Sequence, residues 1–515
     1  MVNFLFRVFS LPLVFLWVSG CASIDFDQER LVSYAIAESS HTTLSQQAAE
    51  VLPRVKTESA FYPLSDGVDA LAARIALAEQ AELTIDAQYY LLHNDPIGRA
   101  FIEVLLAAAD RGVRVRLLID DLETSGMDGL LLGLDAHPNL EIRVFNPFVT
   151  RFARYWDVLI DFSRVNRRMH NKALILDNEV AVIGGRNIAD EYFGANPDLN
   201  FDDMDVLTIG PVVREVSSMF DLYWNSRLAM PIRGVARTFG RGDLSKKLPG
   251  LRQDLVRAQG TFLGSVYQRD LKARSQGYLL RHPEKFIVAN YELLFDPPAK
   301  GQRERSDERE DVLNAVERYM LNAEKEIYIE TAYFVLLPDD VAHFLEMRAR
   351  GIDIIVVTNS LAANNHAVVH SGYMKNRKKL LQAGVRIFEL RPDMALAGAA
   401  QVGGSQATAT LHSKLFVIDR LYFIGSFNFD PRSAYLNTES GVVVDAPSLA
   451  GALVEQHIEH APEEAYELYL NDRNQIRWRT MLNGKEAIYT MEPNTSPLKR
   501  LTTNLLGFLP IMKSL

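Results

Sequence analysis

Two stretches of the 515-residue chain carry the same chemically capable residues in the same order. The first is His170-x-Lys172-x4-Asp177, followed by a turn with Gly184, Gly185 and Asn187. The second is His412-x-Lys414-x4-Asp419, followed by Gly425, Ser426 and Asn428. An imidazole can attack or carry a proton near neutral pH, an ammonium neutralises an anion, and an amide donates hydrogen bonds. One of each per copy suits a phosphate group. A phosphodiester anion repels nucleophiles, so its catalyst must neutralise it and offer a neutral attacker in line with the leaving oxygen. Lys172 and Lys414 with Asn187 and Asn428 suit the first task, and a neutral histidine the second, through a phospho-histidine; the other histidine then protonates the leaving alcohol and deprotonates the acceptor. Exchange of one phosphodiester for another conserves bond type, and the chain has no GxxxxGK[ST] loop, so no nucleotide or other cofactor is expected. Lysine is a poor metal ligand and no cysteine pairs with the histidines, so no metal is expected either. Either copy alone reads as a half-buried hairpin with a hydrogen-bonded histidine and a snorkelling lysine. Their recurrence in register argues for function.

The elements around these residues follow from pattern. Each copy has the apolar run of a buried strand, where side chains two apart share a face, so His and Lys point to one place. Asp177, five positions beyond Lys172, has odd parity and is expected to face elsewhere. A turn at Asp177-Asn178-Glu179 leads to a second strand at 180–183, and the glycines allow close backbone approach. Upstream, the spacing predicts a helix at 66–78, a strand at 83–91, a helix at 98–111, and strands at 113–120 and 141–145. The second half repeats this order: Ala81-Glu82-Leu83-Thr84-Ile85 matches Ala323-Glu324-Lys325-Glu326-Ile327, and Arg111-Gly112-Val113 matches Arg350-Gly351-Ile352. Val144-Phe145-Asn146-Pro147 is echoed by Phe388-Glu389-Leu390-Arg391-Pro392. The simplest architecture is α/β: two domains related by a pseudo-twofold axis, with both histidines at their interface.

Residues 1–21 read as a bacterial lipoprotein signal. Arg7 precedes an apolar stretch at 8–18, and Val18-Ser19-Gly20-Cys21 has the form of a lipobox, with Cys21 the site of lipidation. Cys21 is the sole cysteine, which excludes an internal disulfide. The body is then expected in the cell envelope, facing the periplasm, with Ala22 favouring the outer membrane. Residues 22–60 read as a polar tether with some helix, 61–231 as the first domain, and 232–311 as a poorly patterned insertion or linker that can add one strand at 286–294. Residues 312–460 form the second domain. Residues 461–515 read as a hairpin turning at Asn483-Gly484, then an amphipathic helix with Leu498, Leu501, Leu505, Leu509 and Met512 on one stripe.

A formal net charge of -10 argues against wholesale nucleic-acid binding, so no nucleic-acid partner is expected. Basic residues do cluster locally, at Arg151, Arg154, Arg164, Arg167 and Arg168, and at Lys375, Arg377, Lys378 and Lys379. They are interleaved with Phe152, Tyr155, Trp156, Phe162 and Tyr373, a mixture suited to anionic headgroups at a membrane surface.

The paired His-x-Lys-x4-Asp segments resemble those of the phospholipase D superfamily. The second copy, with Gly425-Ser426-Phe427-Asn428, Arg432-Ser433 and Asn437-Thr438-Glu439, resembles the bacterial cardiolipin synthases, the group called cardiolipin synthase C most of all. The resemblance covers residue 61 to the C-terminus. It implies two α/β/α sandwich domains with the active site between them. It implies that His170, as nucleophile, is oriented by Glu439, and His412, as general acid/base, by Asp203, with Lys172, Asp177, Lys414 and Asp419 completing the catalytic set. It also implies phospholipid substrates, phosphatidylglycerol with a second phospholipid such as phosphatidylethanolamine, exchanged at a membrane surface to make cardiolipin. The alternatives are a phospholipase D that passes the phosphatidyl group to water, a nuclease-like phosphodiesterase, and a non-catalytic binding lipoprotein.

Overall fold

The His-x-Lys strands lie in the middle of two sheets that share one plan. In the computed structural model, which describes the chain except residues 1–23, 28, 53–56, 152, 237–246, 263–265, 276–277, 282, 303–310, 365, 395–406 and 509–515, the first sheet has nine strands. Its centre runs Asp205–Ile209, Val180–Gly184, Ala173–Leu176, Thr84–Tyr89, Arg114–Asp120 and Leu140–Phe145. The ten-stranded second sheet repeats that order with Ser440–Asp445, Leu421–Gly425, Lys414–Ile418, Glu326–Thr331, Asp353–Asn359 and Arg386–Leu390. In both, the motif strand pairs antiparallel with the hairpin strand after it and with the first strand of a parallel trio. Parallel neighbours need a crossover, supplied in the first half by the helix Pro96–Asp110. Asp95 starts it by accepting from Gly98 N at 2.8 Å, and Pro96 occupies the first turn, where no amide partner is lost.

The sheets are covered on both faces, which is why their strands read as continuous apolar runs and not as alternation. Phe101, Ile102, Leu105 and Leu106 of the crossover helix pack on the outer face of the first sheet. The inner faces share one core: Ala173, Ile175 and Ile183 meet Leu415, Val417 and Ile424, together with the helices Pro211–Trp224 and Pro447–Glu464. Each half is thus an α/β/α sandwich, and the pair is joined through apolar contact.

Three regions differ from the sequence reading. The segment after residue 30 is not a free tether. Arg116 donates to Ser33 O at 2.9 Å, Asp221 Oδ2 accepts from Ala35 N at 2.8 Å, and Asn178 donates to Ile36 O at 2.9 Å, so it is docked on the first domain. Residues 286–294 give two strands, not one: Ile287–Ala289 joins the first sheet and Tyr291–Phe295 the second. Tyr291–Phe295 holds the place that Ser59–Leu64 holds in the first sheet, so the second repeat begins within the stretch set apart as insertion. After it, Asp296 is buried, not solvated; it accepts from Glu439 N at 2.8 Å and from Val312 N at 3.1 Å. The hairpin Ile476–Leu482 to Lys485–Tyr489 does turn at Asn483-Gly484, both at positive φ. The helix Pro497–Leu506 is present, while Leu509, Met512 and the Cys21 region lie outside the described residues.

Candidate active site

His170 and His412 reach one cleft, about 730 Å³ in volume, between the two halves. Each histidine lies just before its strand and is tied by its backbone to the opposite half: His170 N donates to Thr438 O at 2.9 Å, and His412 N to Asp202 O at 2.6 Å. The side chains cross over as well. Nδ1 of His170 lies 2.8 Å from Glu439 Oε2, and Nδ1 of His412 lies 2.6 Å from Asp203 Oδ2. Ser426 O is a second acceptor 3.1 Å from Nδ1 of His170, so that nitrogen carries the proton and Nε2 keeps its lone pair.

Electrostatics keeps both rings neutral. Burial, then Lys172 and Lys414, push His170 well below the usual imidazole range. Burial and Lys414 push His412 down to about 3. Burial also lowers Lys172, and brings Lys414 down to about 8. Glu439 is pushed up to about 7 by burial, against the pull of Lys172, whereas at Asp203 the effect of burial is outweighed by Lys414 and His412 and the carboxyl stays low.

The two lysines are buried beside the cleft and not in its lining. Lys172 Nζ donates to His170 O at 2.6 Å and sits 5.3 Å from the Tyr90 ring centre. Lys414 Nζ donates to His412 O and approaches Nδ1 of the same ring at 2.8 Å. They supply positive potential from behind the histidines. Asn187 and Asn428 do line the cleft, and among the described residues each leaves its amide oxygen without a partner. Asn187 Nδ2 donates to Tyr192 OH at 2.8 Å.

Asp177 and Asp419 are a correction to the motif as a catalytic unit. Asp177 accepts from the backbone N–H groups of Glu82, Leu83 and Thr84, and Asp419 from those of Glu324, Lys325 and Glu326. Both sit at positive φ at the far end of the motif strand, about 16 Å from the lysine at strand rise. Their task is to hold the start of the neighbouring strand.

The basic cluster before His170 is likewise spoken for. Arg151 pairs with Asp121 and Asp128, Arg154 with Asp121, Arg164 with Asp161, and Arg168 with Asp120. Arg167 donates to Lys300 O at 2.8 Å. Arg377 is buried between Glu389 and Glu492; Lys375, Lys378 and Lys379 are exposed. Charge counted along the sequence could not show that the carboxylates had folded in beside it.

Other cleft residues escaped the motif reading. Tyr90 stands edge-on to His170 at 4.9 Å, while Phe201 stacks on His412 at 5.0 Å and Tyr192 meets it edge-on at 5.1 Å. Arg432 lines the cleft and clamps the halves by donating to Asn166 Oδ1 at 2.6 Å and Asn166 O at 2.9 Å. Only the repeat itself, aligned through whole domains, could have pointed to the three aromatic rings; Arg432 already stands among the residues that carry the family resemblance.

A duplicated α/β/α fold with paired histidines at its pseudo-twofold defines a class of phosphodiester enzymes. The chain belongs to the family described as cardiolipin synthase, PLD-like domain, which matches residues 74–224 and 316–461. It is 40% identical over 476 residues to cardiolipin synthase C of Escherichia coli K12, covering 90% of this chain and 98% of that one. It is 26% identical to cardiolipin synthase A of Pseudomonas entomophila, over 79% of this chain and 70% of that one. Among solved structures, phosphatidylserine synthase of Haemophilus influenzae has the same fold, with a TM-score of 0.56 at 13% identity, covering 90% of this chain and 96% of that one.

Proposed function

We propose that the chain is a phosphatidyltransferase that makes cardiolipin from phosphatidylglycerol and a second phospholipid. The observation that carries the chemistry is the pair of neutral imidazoles in one cleft, each with Nδ1 held by a carboxylate of the other half. The lipid specificity is drawn from the family and its cardiolipin synthase relatives.

His170 Nε2 attacks phosphorus, and the P–O bond to the glycerol headgroup breaks. The leaving alkoxide takes a proton from Nε2 of His412. His412 is neutral in the free enzyme, and the entering phosphodiester anion raises its pKa so that it binds with a protonated His412. In the second step His412 removes the proton from the acceptor hydroxyl, whose oxygen attacks phosphorus and releases His170. Lys172 and Lys414 offset the phosphate charge from behind. Lys414 against the His412 ring favours its role as proton donor, and two acceptors on Nδ1 of His170 favour its role as nucleophile.

The same proposal has the cleft opening on a lipid surface. Among the described residues no helix is long and apolar enough to cross a membrane. Exposed apolar side chains flank the cleft instead. In the first half Leu159 is 72% and Ile160 81% exposed, on the helix Tyr155–Ile160 that follows Arg154, and Arg154 donates to the main chain of cleft residue Leu122. In the second half Leu498, Leu501 and Leu505 are exposed on Pro497–Leu506, which packs on the helix Ala367–Gln382, whose start lines the cleft. Such faces suit the interfacial zone of a bilayer. We further propose that Cys21 is lipidated and holds the enzyme at the periplasmic face of the envelope; an unmodified Cys21 in the mature protein by mass spectrometry would contradict this.

Vesicles of phosphatidylglycerol, with and without phosphatidylethanolamine, test the reading. Cardiolipin is expected as the main product; phosphatidic acid dominating in every mixture would make the enzyme a hydrolase. Leu159→Ser with Ile160→Ser should lower vesicle activity and spare activity on a short-chain soluble diester. Equal loss on both substrates would contradict surface docking.

A further inference from the structure

The two histidines have unlike surroundings on the side away from the cleft. Behind His170 stand Gln88, Asn171 and Thr438, with Thr438 Oγ1 donating to Asn171 Oδ1 at 2.8 Å and Asn171 Nδ2 to Glu439 O at 3.2 Å. The repeat places Glu330, Ser413 and Asp202 at the matching positions behind His412. Ser413 Oγ donates to Glu330, and Ser413 N donates to Asp202 O at 2.9 Å. A further group joins them from the helix Pro447–Glu464: His457 Nδ1 lies 2.8 Å from Glu330 Oε2 and 2.5 Å from Tyr328 OH. Tyr328 OH also lies 3.0 Å from Glu330 Oε2.

We propose that His457 and Glu330, acting through Ser413 and the Asp202 main chain, are positioning residues that set the protonation and placement of the His412–Asp203 pair. The backbone of Asp202 accepts from both His412 N and Ser413 N, so whatever holds Ser413 and Asp202 holds the catalytic ring and the carboxylate next in the chain. The charged groups facing His457 are Glu330, Asp202 and, from its own helix, Glu464. Its neighbours raise His457 to about 9, so it is an imidazolium at neutral pH and offsets Glu330, while burial and Glu330 push Asp202 up to about 7. With no such cation behind it, His412 would feel more negative potential and hold its proton to higher pH.

This inference rests on the assignment of His412 as general acid/base. Two changes test it. His457→Gln removes the cation and should move the acid/base limb of the kcat–pH profile to higher pH; Glu330→Gln removes the anion together with the partner that keeps His457 protonated, so it should move the limb by less, and to lower pH only where His457 keeps its proton. Ser413→Ala, which deletes a single hydroxyl, should shift it by less. The downfield NMR line of the His412 Nδ1 proton, assigned by its loss in His412→Asn, gives a readout that needs no substrate, and it should move in both charge variants. Limbs and line that stay put while melting temperature falls would make the cluster purely structural and overturn the proposal. An enzyme inactive on phosphatidylglycerol whose line still shifts would contradict the substrate reading and leave the positioning role standing.

Discussion

The first and second halves repeat a backbone but not an electrostatic environment. His170 is backed by amides and a hydroxyl, and its Nδ1 meets two acceptors, Glu439 and Ser426 O. His412 is backed by a buried cluster of charges, and Lys414 leans against its ring. The orienting carboxylates differ to match. Asp203 is short and lies against Gly185, where a methyl group would fall 2.0 Å from Oδ1. Glu439 is longer by a methylene and accepts from Ser426 Oγ at 2.5 Å, the residue that replaces that glycine. Duplication thus supplies two histidines in mirrored positions, and the residues around them divide the labour.

Removing the histidines should break the comparison most visibly. His170→Ala is expected to lower turnover on the order of 10⁴-fold or more, since it deletes the imidazole assigned to attack phosphorus. His412→Asn should cost about 10²–10⁴-fold with a phospholipid, and less with a leaving group that needs no proton. Equal losses on both kinds of leaving group would erase the division of roles. Glu439→Gln comes next: without the charge that fixes the Nδ1–H tautomer, kcat should fall by about 10²–10⁴-fold with little change in KM.

The glycine and serine of the two turns sharpen the comparison by exchange. Gly185→Ser drives a side chain into Asp203 and should cost about 1–3 kcal/mol of stability together with activity. Ser426→Gly loses a hydrogen bond to a buried carboxylate and should cost about 1–3 kcal/mol, with less loss of activity. Urea unfolding and kcat read both. Asp177→Asn and Asp419→Asn should each lower stability by about 1–3 kcal/mol and leave kcat within a few-fold, because these side chains hold strand starts. A collapse of kcat in the stably folded Asp177→Asn protein would return the aspartate to the catalytic unit.

How much of this was legible before the structure follows from what sequence encodes locally. Strand parity separated Asp177 from Lys172, and the internal repeat placed both histidines at one interface. The ion pairs of Arg151 with Asp121 and Asp128, and of Arg168 with Asp120, join residues brought together only by the sheet, so the cluster read as a free basic patch. The docked 30–36 segment and the pair of strands at 287–295 are short and polar at their ends, and gain order from neighbours far away in the chain. Glu330 and His457 carry no motif at all. They become visible only when the halves are superposed and one wall is found charged where the other is neutral.

A further effect is expected on the pH dependence of stability. The folded pKa of His457 is raised from 6.5 to about 9, so its contribution is fully present below pH 6.5 and is lost as pH rises through 9. His457→Gln should remove that slope from urea unfolding measured between these limits. An unchanged slope would show that the imidazolium is not bound by Glu330.

The division of labour is tested most directly by finding the covalent intermediate. Rapid quench with labelled phosphatidylglycerol, followed by proteolysis and mass spectrometry under alkaline conditions that preserve phospho-histidine, should place the phosphatidyl group on the peptide containing His170. His412→Asn should accumulate it there with a leaving group that needs no proton, and His170→Ala should show none. A phosphatidyl group on His412 in the wild-type enzyme would reverse the roles and contradict the account.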